Sequence, residues 1–186
     1  MKTLRPSPKL ETPFQGQIQV YTGNGKGKTT AALGLALRAA GAGLRTYIGQ
    51  FCKGQKYSEL ESIQKLAPLV SIKQFGRKTF LHIKDLADPA DIRMARRGLA
   101  RSRAAMLSGR YDIVVLDEIL IALFFRLLTE DEVLALMDER PARVELILTG
   151  RYAPASIIRR AGLVTEMKER KHYYAKGVEA RVGIEK

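Results

Sequence analysis

The segment Thr22-Gly23-Asn24-Gly25-Lys26-Gly27-Lys28-Thr29-Thr30 decides the fold. It lies between a short β-prone run at residues 18–21 and an alanine- and leucine-rich stretch at residues 29–42 that predicts a helix. In this strand, loop and helix context, glycines let successive N–H groups converge on phosphate oxygens, while the helix N-terminus and Lys28 add positive charge. The segment therefore predicts a polyphosphate site.

The loop resembles the P-loop pattern G-x-x-x-x-G-K-[ST] but departs from it at one position. Thr29 is placed to offer its hydroxyl to Mg²⁺, as that pattern requires. The pattern asks for glycine where this chain has Thr22, and the nearest glycine, Gly23, comes one residue late. The direction in which a triphosphate lies along this loop therefore cannot be copied from ordinary NTPases.

A second motif is the apolar run at residues 113–116, which ends in Asp117 and Glu118. Such a run is typical of a central parallel strand covered on both faces. Ligands of open α/β sheets bind at the carboxyl edge of the strands, and carboxylates there hold Mg²⁺. We expect Thr29, Asp117 and Glu118 to be metal ligands.

Outward from these motifs, predicted strands and helices alternate. Further strands are predicted at residues 44–51, 69–75, 144–148 and 163–167, and helices at residues 58–67, 89–108, 129–139 and 154–161. Asp88 with Pro89 marks one helix start, and a capping box from Thr129 to Glu132 marks another. The pattern predicts a single α/β domain at residues 16–186 with a doubly wound, mostly parallel sheet, preceded by a proline-rich, flexible arm at residues 1–15.

Composition narrows the functional classes. The 186 residues carry a net charge of +13, and six arginines crowd one predicted helix and the turn after it: Arg93, Arg96, Arg97, Arg101, Arg103 and Arg110. We interpret that cluster as a solvated face. If it instead binds nucleic acid, the alternative function is that of a nucleic-acid-binding P-loop ATPase. A single cysteine excludes an internal disulfide framework, and no apolar run reaches about 18 residues. With no secretory signal visible, a cytoplasmic protein without a membrane span is expected.

Several motifs in order resemble one enzyme family. Residues 23–32 look like the phosphate loop of the ATP:corrinoid adenosyltransferases, and Gln50-Phe51-Cys52-Lys53-Gly54 is similar to that family's Gln-Phe-x-Lys-Gly. Residues 115–118, 148–151 and the tail at residues 171–185 complete the resemblance, which covers about residues 16–185.

The resemblance implies a RecA-like P-loop fold and transfer of the 5′-deoxyadenosyl group of ATP to the Co(I) of a corrinoid, with release of triphosphate. It implies a homodimer, a triphosphate bound in reversed orientation, Mg²⁺ as cofactor and an electron donor such as a reduced flavoprotein. A module that binds ATP and corrinoid without transferring the group is a third possibility.

The resemblance also assigns site residues. The expected catalytic residues are Lys28, Thr29 and Glu118. The expected ligand-binding residues are Gly23, Asn24, Gly25, Lys26, Gly27, Lys28, Thr29, Thr30, Arg151 and Phe80. Phe80 is the first candidate, and Phe75 the second, for an apolar lid that displaces the lower axial ligand of Co(II). For both aromatics, an ordinary place in the core is an equally open interpretation.

Overall fold

The fold is built on one six-stranded sheet. The computed structural model describes residues 15–78 and 88–186. The strands are β1 (Ile18–Thr22), β2 (Thr46–Phe51), β3 (Val70–Phe75), β4 (Ile113–Asp117), β5 (Glu145–Thr149) and β6 (Leu163–Glu166). All neighbouring pairs are parallel, in the order β3-β2-β4-β5-β1-β6. The prediction of a parallel α/β sheet is confirmed.

Helices cover both faces of the sheet. They are α1 (Lys28–Gly41), α2 (Ser58–Lys65), α3 (Pro89–Leu107), α4 (Ile119–Phe124), α5 (Glu130–Asp138) and α6 (Ala155–Arg160), followed by a 3-10 helix at Tyr173–Lys176. Alternate residues of β4 enter different cores, since Ile113 and Val115 pack with α1 and α2. Val114 and Leu116 pack with the other four helices. This two-sided burial explains why the strand is apolar throughout.

Two predicted helix starts have the expected caps. The Asp88 side chain accepts a hydrogen bond from the N–H of Ala90 at 2.7 Å, one residue after Pro89. In α5, Thr129 and Glu132 exchange both bonds of a capping box, at 2.8 and 3.2 Å. Each cap satisfies N–H groups that a helix leaves without intrahelical partners.

Helix α4 was not predicted. Its six residues, Ile119 to Phe124, are uniformly apolar, so they show no helical period that could separate a buried face from an exposed one. Four of them are buried beneath the sheet's carboxyl edge, where burial rather than sequence pattern selects the helix.

The carboxyl edge of the sheet carries a row of polar side chains. Gln74, Gln50, Asp117 and Thr149 belong to four adjacent strands, β3, β2, β4 and β5, and each is hydrogen-bonded to the next. Three of the four are almost fully buried. One member of the row, Asp117, is also bonded to the hydroxyl of Thr29 in the first turn of α1.

Candidate active site

The phosphate loop at residues 23–27 follows a path that favours glycine at two of its positions. Gly23 and Gly27 have φ values of 96° and 121°, in the region that disfavours side chains. A Cβ atom on Gly23 would lie 2.4 Å from the carbonyl oxygen of Met167. Met167 forms two hydrogen bonds here. Its N–H donates to the carbonyl oxygen of Thr22, just before the loop, at 2.8 Å, and its own carbonyl oxygen accepts from the N–H of Gly25, within the loop, at 2.7 Å.

Lys28, the first residue of α1, places its ammonium at the centre of this loop. Its Nζ donates to the carbonyl oxygens of Gly23 and Gly25, both at 2.7 Å. Burial lowers the pKa of Lys28, and Arg151 lowers it further, while the Glu118 carboxylate opposes both effects. The loop therefore carries a desolvated cation beside a helix N-terminus, a combination that favours an anionic ligand.

Asp117 is the hub of a buried hydrogen-bond network. Its Oδ1 accepts from the hydroxyls of Thr29 at 2.8 Å and Thr149 at 2.7 Å. Its Oδ2 accepts from Lys53 Nζ at 2.8 Å and Gln50 Nε2 at 3.2 Å. Burial alone would raise the pKa of Asp117, but the Lys53 charge and the hydrogen bonds outweigh it and hold the pKa below its ordinary value.

Glu118, the next residue, differs from Asp117 in its backbone conformation and in the direction of its pKa shift. It adopts a left-handed conformation with φ 61°, turning the chain from β4 into α4. Its N–H donates to the Thr149 hydroxyl at 2.9 Å. Burial, reinforced by the charge of Asp117, raises the pKa of Glu118. Strained residues of this kind cluster at functional sites, and Cys52 and Tyr152 have similar φ values after β2 and β5.

A cavity of about 750 Å³ opens above the loop. Among the residues that line it are Gly25, Lys26, Gly27, Lys28, Thr29, Thr30, Lys53, Glu118 and Arg151. Tyr57, Ser58 and Glu59 line one side of it, and His172 and residues 183–186 line another. The tail is bonded to this region, since Lys26 Nζ donates to the carbonyl of Ile184 at 3.2 Å and Ser58 Oγ to that of Lys186 at 3.0 Å.

Most of the predicted site residues come together in this region. Asp117 lies below the cavity floor, whereas Gly23 and Asn24 line a neighbouring cavity of about 660 Å³ that shares Arg151 with the first. Phe80 lies outside the described residues. Phe75 is half-buried and packs against Phe51, with the ring centroids 6.1 Å apart.

Three residues of the network were absent from the predicted site: Lys53, Gln50 and Thr149. Gln50 and Lys53 belong to a motif that the family resemblance had singled out, and Thr149 lies in another. Their place in these motifs was therefore a signal that could have identified them as site residues. Their contact with Asp117 was not visible, because it depends on β2 and β5 flanking β4.

His172 has a local structural role among the residues described. Its Nδ1 accepts from the N–H of Tyr174 at 3.1 Å and caps the 3-10 helix.

Comparison with known proteins identifies relatives of the whole domain. Residues 14–185 match the family described as ATP:corrinoid adenosyltransferase BtuR/CobO/CobP. A corrinoid adenosyltransferase of Pseudomonas aeruginosa is 32% identical over 178 residues, covering 92% of this chain and 84% of that protein. An uncharacterized protein of Nostoc is 38% identical over 170 residues, covering 84% of this chain, which spans only 45% of that protein's length.

The fold has relatives among solved structures. A KaiC-like protein of Pyrococcus horikoshii superposes with a TM-score of 0.55 at 18% identity, covering 84% of this chain and 74% of that one. At this identity the likeness concerns the fold alone, and it agrees with the expected RecA-like α/β fold.

Proposed function

The chain belongs to the ATP:corrinoid adenosyltransferase family, and from this we infer that it transfers the 5′-deoxyadenosyl group of ATP to the cobalt of a corrinoid. The observation that carries the inference is the family match across residues 14–185, which includes the phosphate loop and the acidic end of β4. The corrinoid is the second substrate.

The proposed reaction is a displacement at the ribose C5′ carbon. The electron pair of Co(I) forms the Co–C bond, the C5′–O5′ bond breaks, and its electron pair leaves with the triphosphate. Co(I) needs no activation by a protein base, so the protein's task is to align the reactants and stabilise the leaving group. The buried Lys28 ammonium and the N–H groups at the N-terminus of α1 are suited to that second task.

We propose that the triphosphate lies in the loop with its polarity reversed relative to NTP hydrolases. The support is the replacement of the first motif glycine by Thr22 and the attachment of the loop to Met167, which uses the N–H of Gly25. A reversed triphosphate leaves the ribose carbon accessible from the cavity rather than burying it.

Magnesium is proposed as the cofactor, and the side chains fit it. Thr29 and Glu118 line the cavity, and the Asp117 carboxylate lies just below its floor, bonded to the Thr29 hydroxyl; all three offer hard oxygen donors. Within residues 15–78 and 88–186, no group of three or more His, Cys, Asp or Glu is arranged to hold a metal. Mg²⁺ takes few carboxylates and completes its shell with water and substrate phosphates. When bound, the ion would neutralise charge on the departing triphosphate.

From the family resemblance we also propose a homodimer, a reduced flavoprotein as electron donor, and the Phe80 lid. A cytoplasmic location stays a prediction from the sequence. In the part of the chain that the structure describes, no helix combines the length and apolar composition needed to cross a membrane. Changing Phe80 to Ala should slow adenosylation starting from Co(II) more than from Co(I) reduced in advance, and equal losses would remove the lid role.

The nucleic-acid-binding alternative is not favoured. Its main motivation was the arginine-rich helix, now α3, where Arg96 and Arg103 pair with Glu132 and Glu139 of the adjacent helix segment at 3.0 and 2.9 Å. These exposed pairs suit the expected solvated face.

An anaerobic assay with ATP, Mg²⁺ and chemically reduced cobalamin tests the function. We expect the visible spectrum of a Co–C bond to develop with one triphosphate released for each corrinoid consumed. Release of ADP and single phosphates, stimulated by RNA or DNA and without corrinoid turnover, would overturn the assignment. Tight binding of both substrates without any product would favour a binding module instead.

A further inference from the structure

Lys53 places a cation between the two side chains that are proposed to hold the metal. Its Nζ is 2.8 Å from Asp117 Oδ2 and 3.2 Å from Thr29 Oγ1. The Lys53 side chain is 15% exposed and Asp117 only 1%, so the ion pair lies at the boundary between the protein interior and the cavity. The ammonium thus satisfies the same oxygens that a divalent cation would need.

The local backbone holds Lys53 in this place. The preceding residue, Cys52, has φ 56° and turns the chain sharply at the end of β2. After it, Gly54 lies so close to the next loop that a Cβ atom there would be 2.2 Å from the carbonyl oxygen of Gly76. The Lys53 ammonium also lies 5.3 Å from the centre of the Tyr57 ring. The position of the ammonium therefore follows from a tightly packed turn.

We propose that Lys53 is a tethered cation that occupies the Thr29–Asp117 site until a divalent cation arrives with the triphosphate, and that it then turns to the phosphate oxygens. The inference rests on the proposed magnesium site. A divalent cation on this pair of oxygens would repel the Lys53 ammonium more strongly than the Asp117 carboxylate attracts it, because the metal carries twice the charge. The flexible four-carbon stem of Lys53 already borders the cavity, so the ammonium has a path from the carboxylate to an anionic ligand.

If Lys53 occupies this site, it should keep a divalent cation from binding there in the absence of nucleotide. Without nucleotide, a divalent cation must displace a buried ion pair and find a new partner for the Lys53 charge. With nucleotide, the triphosphate provides that partner as well as further metal ligands. The metal and the nucleotide are therefore expected to bind together, and the free protein is expected to bind the metal weakly.

Mn²⁺ binding measured by electron paramagnetic resonance, with no nucleotide present, tests the proposal. Lys53→Met should bind Mn²⁺ at least about tenfold more tightly than the wild type, because the competing charge is gone. Lys53→Arg, which keeps a cation, should bind it as weakly as the wild type. Lys56→Met is the matched control: this lysine is three residues further on, 80% exposed and paired with Glu61, and its loss should change nothing.

Two further variants keep the outcomes interpretable. If Lys53→Met does not fold, as judged by thermal unfolding, Lys53→Gln removes the charge while retaining a hydrogen-bond donor. Adding Asp117→Asn to either variant should abolish the gained Mn²⁺ binding. Unchanged Mn²⁺ affinity in the folded neutral variants, or a gain that survives loss of Asp117, would overturn the proposal.

The magnesium site itself is tested separately, by Mn²⁺ binding to the wild type in the presence of ATP. If Asp117→Asn leaves that binding intact, the metal site fails. If Mn²⁺ binding in the presence of ATP needs Asp117, but the neutral Lys53 variants bind Mn²⁺ no more tightly than the wild type without nucleotide, only the proposed role of Lys53 fails.

Discussion

Replacing Asp117 by Asn should destabilise the protein strongly although the two side chains have nearly the same size. Asp117 accepts hydrogen bonds from four side chains, two on each oxygen. Asn keeps one acceptor oxygen and turns a new N–H₂ donor toward existing donors. It also leaves the ammonium of Lys53 without its counter-ion at a site that is 15% exposed.

The expected magnitude follows from that environment. Removing one partner of a buried ion pair costs about 3 to 5 kcal/mol, and the access of Lys53 to the cavity favours the lower end of about 3 kcal/mol. In a domain of this size each kcal/mol lowers the melting temperature by roughly 2 to 4 °C, so Asp117→Asn should melt about 6 to 12 °C lower. Asp131→Asn, in the exposed first turn of α5, is the control and should cost at most about 1 kcal/mol.

Thermal unfolding followed by circular dichroism between pH 7 and pH 3 provides the assay. Because the pKa of Asp117 is lowered in the folded state, its stabilising effect is complete above the unfolded-state pKa of about 3.9 and is lost as the pH falls toward the folded-state pKa. The gap between wild type and variant should therefore be constant near neutrality and shrink below about pH 4. A variant that melts with the wild type at pH 7, or a gap that widens in acid, would refute this account.

Lys28→Ala should weaken ATP binding about 10- to 100-fold by calorimetry while the melting temperature stays nearly constant, since one charge-assisted contact is lost and a desolvated cation is removed; undiminished affinity would exclude its role. Glu118→Gln should raise the melting temperature at neutral pH and have no effect in acid, because the raised pKa of Glu118 means that folding disfavours its ionised form; a loss of stability at pH 7 would contradict this. Thr129→Ala should lower the free energy of unfolding by about 1 kcal/mol through loss of the capping box, and an unchanged melting curve would argue against it. Burial raises the pKa of Cys52 from 9.0 to about 12, so a thiol reagent at pH 8 should modify the folded protein about a thousandfold more slowly than the unfolded chain, and equal rates would show an accessible thiolate.

The sequence predicted the parts of the fold that depend on local patterns. Glycine spacing around Lys28, the apolar run before Asp117, and the caps at Asp88 and Thr129 each predict a short segment from its own residues. Their positions in the structure agree with those predictions. The final strand was also predicted, although its position at the sheet's edge was not.

Features that depend on strand order were not predictable in this way. The contact between Lys53 and Asp117 joins residues 64 positions apart, and it exists only because β2 lies beside β4. The left-handed conformation of Glu118 turns the chain into the buried helix α4, and a glutamate does not by itself predict such a conformation. Sequence motifs could name the participants at the site, but the network between them required the three-dimensional arrangement.

The attachment of the phosphate loop to Met167 connects nucleotide binding to the margin of the sheet. Strand β6 is an edge strand with all four residues exposed, so it belongs to the part of the structure that opens most easily by local fluctuation. Each opening beyond Glu166 would release the N–H of Gly25 and the carbonyl of Thr22, and the loop would lose its preformed shape. A ligand that grips the loop must therefore also suppress fraying at this edge, and substitutions on an exposed strand remote from the cobalt chemistry can tune how tightly the nucleotide is held.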